Sequence, residues 1–311
     1  MADITVRLRH LRRSIERLMA IAGTPGVAIG KLAVTEDTIF PICSLTKAIT
    51  AAGLGLFVEE DRVSWDSLIK GILPDFCSVN PMLHIKTTIT DIFCHRTGMG
   101  WGDNVILGTA GNILLRSEDV MRYINNRPLI RPFHAQFGYN NLQYELAGSI
   151  IERVSRQSYS DLMQSRLLNP LGMERTAFQT PSKSVDGVSI CYNALDDASG
   201  VPIDFLKMGD DGYSAASGGA RSSVKDLLKL YSSFIKCFNY QASGNSSPEI
   251  GSPLKQLSHI VSAKIPFDQP SQHEASGTSG LVLFHQGSLP GSLTFVGLLP
   301  ETETVIVVLT N

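Results

Sequence analysis

Thr38-Ile39-Phe40-Pro41-Ile42-Cys43-Ser44-Leu45-Thr46-Lys47, running straight into Ala48-Ile49-Thr50-Ala51-Ala52-Gly53-Leu54-Gly55-Leu56-Phe57-Val58, decides the reading of this chain. Residues 38–42 are apolar and extended in character, and residues 48–58 form a helical run that is apolar on every side. Such a helix lies between layers rather than on a surface. Ser44 and Lys47 therefore fall at a buried junction, and a spacing of three places both side chains on one helical face. A lysine held in a low dielectric loses pKa by desolvation and can take the proton of a neighbouring hydroxyl. The competing reading is an N-cap serine followed by a snorkelling lysine. Spacing alone does not choose, because five of the eleven lysines have a serine three places earlier. Of the other four pairs, Ser67/Lys70, Ser222/Lys225 and Ser252/Lys255 read as helix N-caps, and Ser233/Lys236 as the solvated side of a helix.

Working outward, Ile4, Leu8, Leu11, Ile15 and Leu18 make the apolar stripe of an N-terminal helix. Thr24-Pro25-Gly26 breaks it, and Val27-Ala28-Ile29-Gly30 reads as a short strand. Residues 65–175 are helical with loops, notably 118–124 and 143–154. Residues 240–280, rich in Ser, Gly, Pro and Gln, suggest a long loop. Apolar strands are expected at 292–299 and 304–309, with Leu281-Val282-Leu283-Phe284-His285 as a third. The expected fold is α/β of the α+β type: an antiparallel sheet built from both chain ends with flanking helices, plus an inserted all-helical domain. The expected boundaries are 1–66 with 176–311 for the sheet domain and 67–175 for the helical one.

Composition limits the function classes. With 311 residues, 43% hydrophobic and 18% charged, the chain can build a large core without disulfides or metals. A formal charge of −2 without blocks of one sign argues against a nucleic-acid partner. Cys43, Cys77, Cys94, Cys191 and Cys237 are scattered and lack a C-x-x-C pair, so neither a disulfide framework nor a zinc site is indicated. No apolar run approaches the length of a membrane span, and the arginine-rich start is too charged for a secretory signal. A cytoplasmic protein, without membrane association, is the expectation.

Two further polar elements stand out. Tyr139-Asn140-Asn141 follows the extended stretch 133–137 and precedes a helix, so a phenol and an amide can point together into a cleft. Helix capping by Asn141 and packing by Tyr139 is the alternative. The same spacing in Tyr123-Ile124-Asn125 lies inside a helical run and is structural. His285-Gln286-Gly287-Ser288 ends an apolar strand, where glycine allows close backbone approach and the Ser288 N–H is free to donate. Lys207-Met208-Gly209 is a rival for a K-x-G motif but lies in loop-like surroundings. Trp101, Phe133 and Phe137 are candidates for an apolar acyl pocket, with core packing as their alternative.

Taken jointly and in this order, the three elements resemble the serine beta-lactamase and penicillin-binding-protein-like superfamily, in its class C-like branch of esterases, D-aminopeptidases and acyltransferases. That superfamily carries S-x-x-K at a helix start, Y-x-N on a loop of its helical domain, and K-T-G or H-x-G on a sheet strand. Cys94-His95-Arg96-Thr97-Gly98-Met99, Pro170-Leu171-Gly172-Met173-Glu174-Arg175-Thr176 and residues 217–227 are similar to its H-T-S-G-L, P-L-G-M-x-x-T and A-G-G-x-x-S-T-x-x-D-L stretches. His95 is read as a structural loop residue. The resemblance implies Ser44 as acyl-accepting nucleophile, Lys47 as its proton partner, and Tyr139 as a second acid/base whose phenolate character depends on nearby Lys47. It implies that Asn141 orients the acyl side of the substrate, that His285 lines the opposite wall beside Gly287, and that the N–H groups of Ser44 and Ser288 form an oxyanion hole. No metal or organic cofactor is implied.

The sequence departs from that pattern between Gly30 and Thr38, where seven residues replace the rest of a hairpin, and before His285, where an aromatic strand is lacking. An uncovered sheet edge there predicts marginal stability or a homodimer paired along it. The expected function is hydrolysis or acyl transfer on a small ester, amide or thioester through an acyl-Ser44 intermediate. The alternative is a non-catalytic relative that keeps the pocket to bind a ligand.

Overall fold

The computed structural model describes residues 11–22, 34–103, 108, 112–182, 184–197, 199–209, 214–244, 251–265 and 280–311. The expected strand at 27–30 and the first three residues of the shortened connection after it lie outside these residues. In chain order the elements are α1 (Arg12–Ala22), β1 (Phe40–Pro41), α2 (Thr46–Glu59), α3 (Ile69–Ile72), α4 (Pro81–Lys86), α5 (Ile89–Phe93), α6 (Val120–Asn125), α7 (Asn141–Ser155) and α8 (Tyr159–Met163). They continue with β2 (Cys191–Ala194), β3 (Gly200–Ile203), β4 (Arg221–Ser222), α9 (Val224–Ala242), α10 (Leu257–Val261), β5 (Leu283–Leu289), β6 (Ser292–Leu299) and β7 (Thr304–Thr310). Helix and antiparallel sheet are mixed as the fold class requires.

The main sheet is antiparallel in the order β5-β6-β7, with His285 opposite Val296 and Phe295 opposite Val308. Along β6 the residues Ser292, Thr294, Val296 and Leu298 are buried, the period-two pattern of a strand with one face on a core. That face packs on α9, whose length is set by Ser223 capping the N–H of Asp226 at its start. Helix α2 is buried on nearly all sides, as its sequence requires, and packs against α7 and α10. Helix α5 opens with a capping box between Thr88 and Asp91, and α7 with Asn140 accepting from the N–H of Leu142.

Two short antiparallel strands, β1 and β4, join distant parts of the chain just before Ser44: Phe40 pairs with Ser222 and Pro41 with Arg221. Arg221 is 2% exposed. Its guanidinium donates to the carbonyls of Phe178, Met208, Gly219 and Leu206 and to the hydroxyl of Thr180. Arg221→Met would leave those buried carbonyls without donors, so a loss of about 3 kcal/mol or more is expected, read as a lower melting temperature.

Several boundaries differ from the sequence reading. The cap of α9 is Ser223, not Ser222, whose hydroxyl pairs with Thr176 at 2.7 Å inside β4. Ser67 caps no helix: its hydroxyl accepts from the N–H of Ser64 in a turn, and α3 follows Leu68 without a side-chain cap. Ser252 accepts from the N–H of Leu254, before α10 begins. The third strand runs Leu283–Leu289, so His285, Gly287 and Ser288 lie within it rather than at its end. Residues 240–280 include the end of α9 and the whole of α10.

Candidate active site

Ser44 occupies the centre of a 3-10 turn, Cys43–Leu45, that leads into α2. Cys43 has a left-handed backbone at φ 51°, a conformation that costs a non-glycine residue energy and is held here by its surroundings. Those surroundings are specific. Ile42 N–H donates to Ala220 O at 3.0 Å, Thr46 Oγ1 donates to Cys43 O at 2.6 Å, and Ala220 N–H donates to Thr46 Oγ1 at 3.1 Å. From the other side Ser292 and Thr294 of β6 donate their hydroxyls to Pro41 O and Ile42 O, at 3.0 and 3.2 Å.

Ser44 and Lys47 are 3.1 Å apart, Oγ to Nζ, and Tyr139 brings its hydroxyl to 2.6 Å from the same Oγ. Lys47 is 3% exposed and also donates to Ser217 O at 2.6 Å and to Asn141 Oδ1 at 2.7 Å. Its ammonium lies over the rings of Tyr139 and Tyr144, 4.9 and 5.2 Å from the centroids. Burial lowers the Lys47 pKa to about 7, opposed by the negative charges of Glu145 and Asp103. Tyr139 keeps 38% of its surface open to the cleft. Its partial burial nevertheless pushes the phenol up to about 12, against the hydrogen bond to Ser44. The phenol is thus held towards its neutral form.

Glu145, one turn after Asn141 in α7, is buried beside Lys47 and accepts from the N–H of Ser214 at 2.9 Å. Burial raises its carboxyl to about 7. Behind Tyr139, His95 is buried with φ 57°, its Nδ1 accepting from Asn140 N–H at 3.2 Å and its ring 4.7 Å from the Tyr139 ring. Burial and the Lys47 charge depress its pKa to about 3. A neutral ring with an acceptor at Nδ1 buttresses the turn into α7, so His95 does stand near Ser44, on the far side of the tyrosine.

The third motif forms the opposite wall. His285 lines the cleft, and burial together with the Lys47 charge brings its pKa to about 4, so it is neutral at pH 7. Gly287 is required by close approach. A Cβ there would lie 2.8 Å from Cys43 Cβ, 2.9 Å from Ile42 O and 2.5 Å from Thr294 Oγ1. Gly287→Ala is therefore expected to push β5 off the Ser44 turn and slow any acylation of Ser44 by about tenfold or more, measured as the rate of covalent labelling. Ser288 follows on β5, an edge strand among the described residues, also lining the cleft.

Ser44, Lys47, Tyr139, Asn141, His285, Gly287 and Ser288 thus line one cavity of about 1170 Å³. Phe137 lines it as well, whereas Trp101 is 48% exposed and Phe133 packs on the core. Asp103 and Glu145, which no motif singled out, also face Lys47. The decoy Tyr123 instead donates to Gly102 O at 3.1 Å. Among the described residues no cluster of His, Cys, Asp and Glu could hold a metal ion, and no helix is long and apolar enough to cross a membrane.

The family model for beta-lactamase matches residues 11–311, and the chain belongs to that family. It is 25% identical over 288 residues to the unguisins hydrolase ungD' of Aspergillus campestris, covering 89% of this chain and 53% of that protein. It is likewise 25% identical over 291 residues to the protein flp of Staphylococcus aureus MW2, covering 90% and 54%. The chain spans about half the length of these curated relatives. Among solved structures, an octameric penicillin-binding protein homologue from Pyrococcus abyssi superposes with a TM-score of 0.75 at 22% identity, covering 98% of this chain and 73% of the other. A class C beta-lactamase from Rhodobacter sphaeroides gives 0.69 at 18% identity, covering 96% and 93%.

Proposed function

We propose that the protein is a serine hydrolase or acyltransferase that passes a small acyl group through Ser44, taking it from an ester, amide or thioester. The observation that carries this reading is the convergence of the Lys47 amine and the Tyr139 phenol on one hydroxyl at hydrogen-bond distance, in an open cavity. In its neutral form Lys47 has two hydrogens and one lone pair. The two nearer acceptors, Ser217 O and Asn141 Oδ1, take the hydrogens, which leaves the lone pair for Ser44.

Lys47 Nζ then accepts the Ser44 proton as Oγ bonds to the substrate carbonyl carbon. The carbonyl electrons move to oxygen, facing the N–H groups of Ser44 and Ser288, where each donor is worth about 3–4 kcal/mol. When the carbonyl re-forms, the bond to the leaving group breaks. That group departs with a proton passed from Lys47 through the neutral Tyr139 phenol. Water or another nucleophile releases the acyl group by the same path in reverse. The hydrolases among its relatives support this reading.

Intact-mass analysis after exposure to a fluorophosphonate, and to acyl thioesters and p-nitrophenyl esters of graded length, tests it. A mass increase of one acyl or phosphonyl group is expected. Its rate should fall about tenfold per pH unit below about 7, where Lys47 becomes protonated, and level off above. A chain that stays unmodified by every reagent and releases no p-nitrophenol from the esters favours the non-catalytic, ligand-binding alternative.

A further inference from the structure

Asp103 stands in the loop that follows Trp101. Its Oδ2 accepts from Asn141 Nδ2 at 2.6 Å and from Trp101 Nε1 at 3.0 Å. The other end of the same amide, Asn141 Oδ1, accepts from Lys47 Nζ at 2.7 Å. A carboxylate can only accept and an ammonium can only donate, so this pair of contacts fixes which way the amide faces. Asn141 is thereby held at both ends, and one of its two N–H bonds is committed to Asp103 instead of to a substrate.

The orientation matters to Ser44. Turned over, the amide would point its NH₂ at Lys47, and the neutral amine would lose an acceptor and meet a donor. Its lone pair would then be drawn towards Asn141 and away from the Ser44 hydroxyl. We infer that Asp103 is a positioning residue of the acylation machinery: it locks the Asn141 amide and, through it, aims the Lys47 lone pair at Ser44. This rests on the function proposed above, and it assigns a task to a residue outside the three motifs.

The groups facing Lys47 set the controls. They are the Glu145 and Asp103 carboxyls, the Cys43 thiol, the Tyr139 and Tyr144 rings, and the neutral His95 and His285. Burial holds the Cys43 thiol at about 12 and the Glu145 carboxyl at about 7, so near neutral pH the thiol is uncharged and Glu145 is only partly ionised. Removing the Asp103 charge disfavours protonated Lys47, so the acid limb of the rate moves to lower pH. Removing the lock lowers the plateau reached above that limb.

The test is the rate of fluorophosphonate labelling from pH 5 to 10 in the wild type, Asp103→Asn, Asp103→Ala, Asn141→Ala and the double variant Asp103→Ala/Asn141→Ala. In Asp103→Ala the plateau is expected to fall by about 10–100-fold. In Asp103→Asn the new amide oxygen can still accept from Asn141, so the plateau recovers to within about threefold while the limb stays shifted. In the Asn141→Ala background, Asp103→Ala should have almost no further effect, because the lock acts through Asn141. A plateau within twofold of wild type in Asp103→Ala, or losses that multiply in the double variant, would overturn the inference. If Asp103→Ala does not fold, Asp103→Asn decides alone: a shifted limb with a preserved plateau supports it, and an unshifted limb or a lost plateau overturns it. A wild type that never labels rejects the proposed function instead. The lock is then read from the Asn141 side-chain amide protons by NMR, whose shifts must change in Asp103→Asn if the contact exists.

Discussion

Replacing Ser44 by alanine is expected to abolish covalent labelling completely, while Ser67→Ala, Ser222→Ala, Ser233→Ala and Ser252→Ala label at the wild-type rate. The structure separates these five serines by their partners. Ser44 alone faces both an amine and a phenol, at 3.1 and 2.6 Å. Ser222 is tied to Thr176 inside β4, and Ser67 and Ser252 accept from nearby backbone N–H groups in turns. The lysine paired in sequence with Ser222 turns outward to Asp37 at 3.3 Å. Nor can the neighbouring thiol substitute for the lost hydroxyl, because burial pushes Cys43 up to about 12 and the reactive thiolate is scarcely populated. Peptide mapping after labelling checks this directly: an adduct on any serine other than Ser44, or on Cys43, refutes the assignment.

Lys47→Ala and Tyr139→Phe should each slow acylation by about 10²–10⁴-fold, the range expected when a positioned proton-transfer group is removed. The two variants differ in their pH profiles. Of the two groups that burial brings to about 7, Glu145 and Lys47, Lys47→Ala removes the one that takes the Ser44 proton, so the acid limb should vanish with the rate. Tyr139→Phe keeps that lysine and should keep the limb, because the phenol is neutral across the range and acts by relaying a proton. Tyr123→Phe, whose hydroxyl bonds with Gly102 O and Arg127, should do neither. Equal losses in Tyr123→Phe and Tyr139→Phe would mean that the wrong tyrosine has been chosen.

Much of this site was legible because its chemistry is written in short spacings. Ser44 and Lys47 share a helical face by periodicity alone, and Tyr139 and Asn141 flank the start of α7, so local structure brings each pair together. What chose Ser44 over four decoys was the apolar character of both flanks, a tertiary property that happened to show in the sequence. The cap of α9 was misread for the opposite reason. Ser222 and Ser223 are equivalent as cap residues, and the choice was made by strand pairing with Phe40 and a bond to Thr176. The strand carrying His285 was drawn too early and too short, since Gly287 argues for a strand end while its neighbours across β6 keep it paired. Asp103 and Glu145 left no signal of their own. A lone acidic residue in a loop or a helix is ordinarily solvated, and only the fold brings these two against Lys47.

Arg221 ends with a consequence for how this protein can change. Four of its side-chain bonds go to main-chain carbonyls at Phe178, Leu206, Met208 and Gly219, and carbonyls are the same whatever side chains they carry. The exposed residues of the β2–β3 hairpin, between the first and second of these anchors, can therefore drift in sequence, whereas Cys191 stays buried against the turn at Gly291 and the two ends stay moored beside the strand that leads to Ser44. Selection can rewrite that excursion for new acceptors or new neighbours without disturbing the nucleophile, whereas a change at Arg221 itself is closed to it.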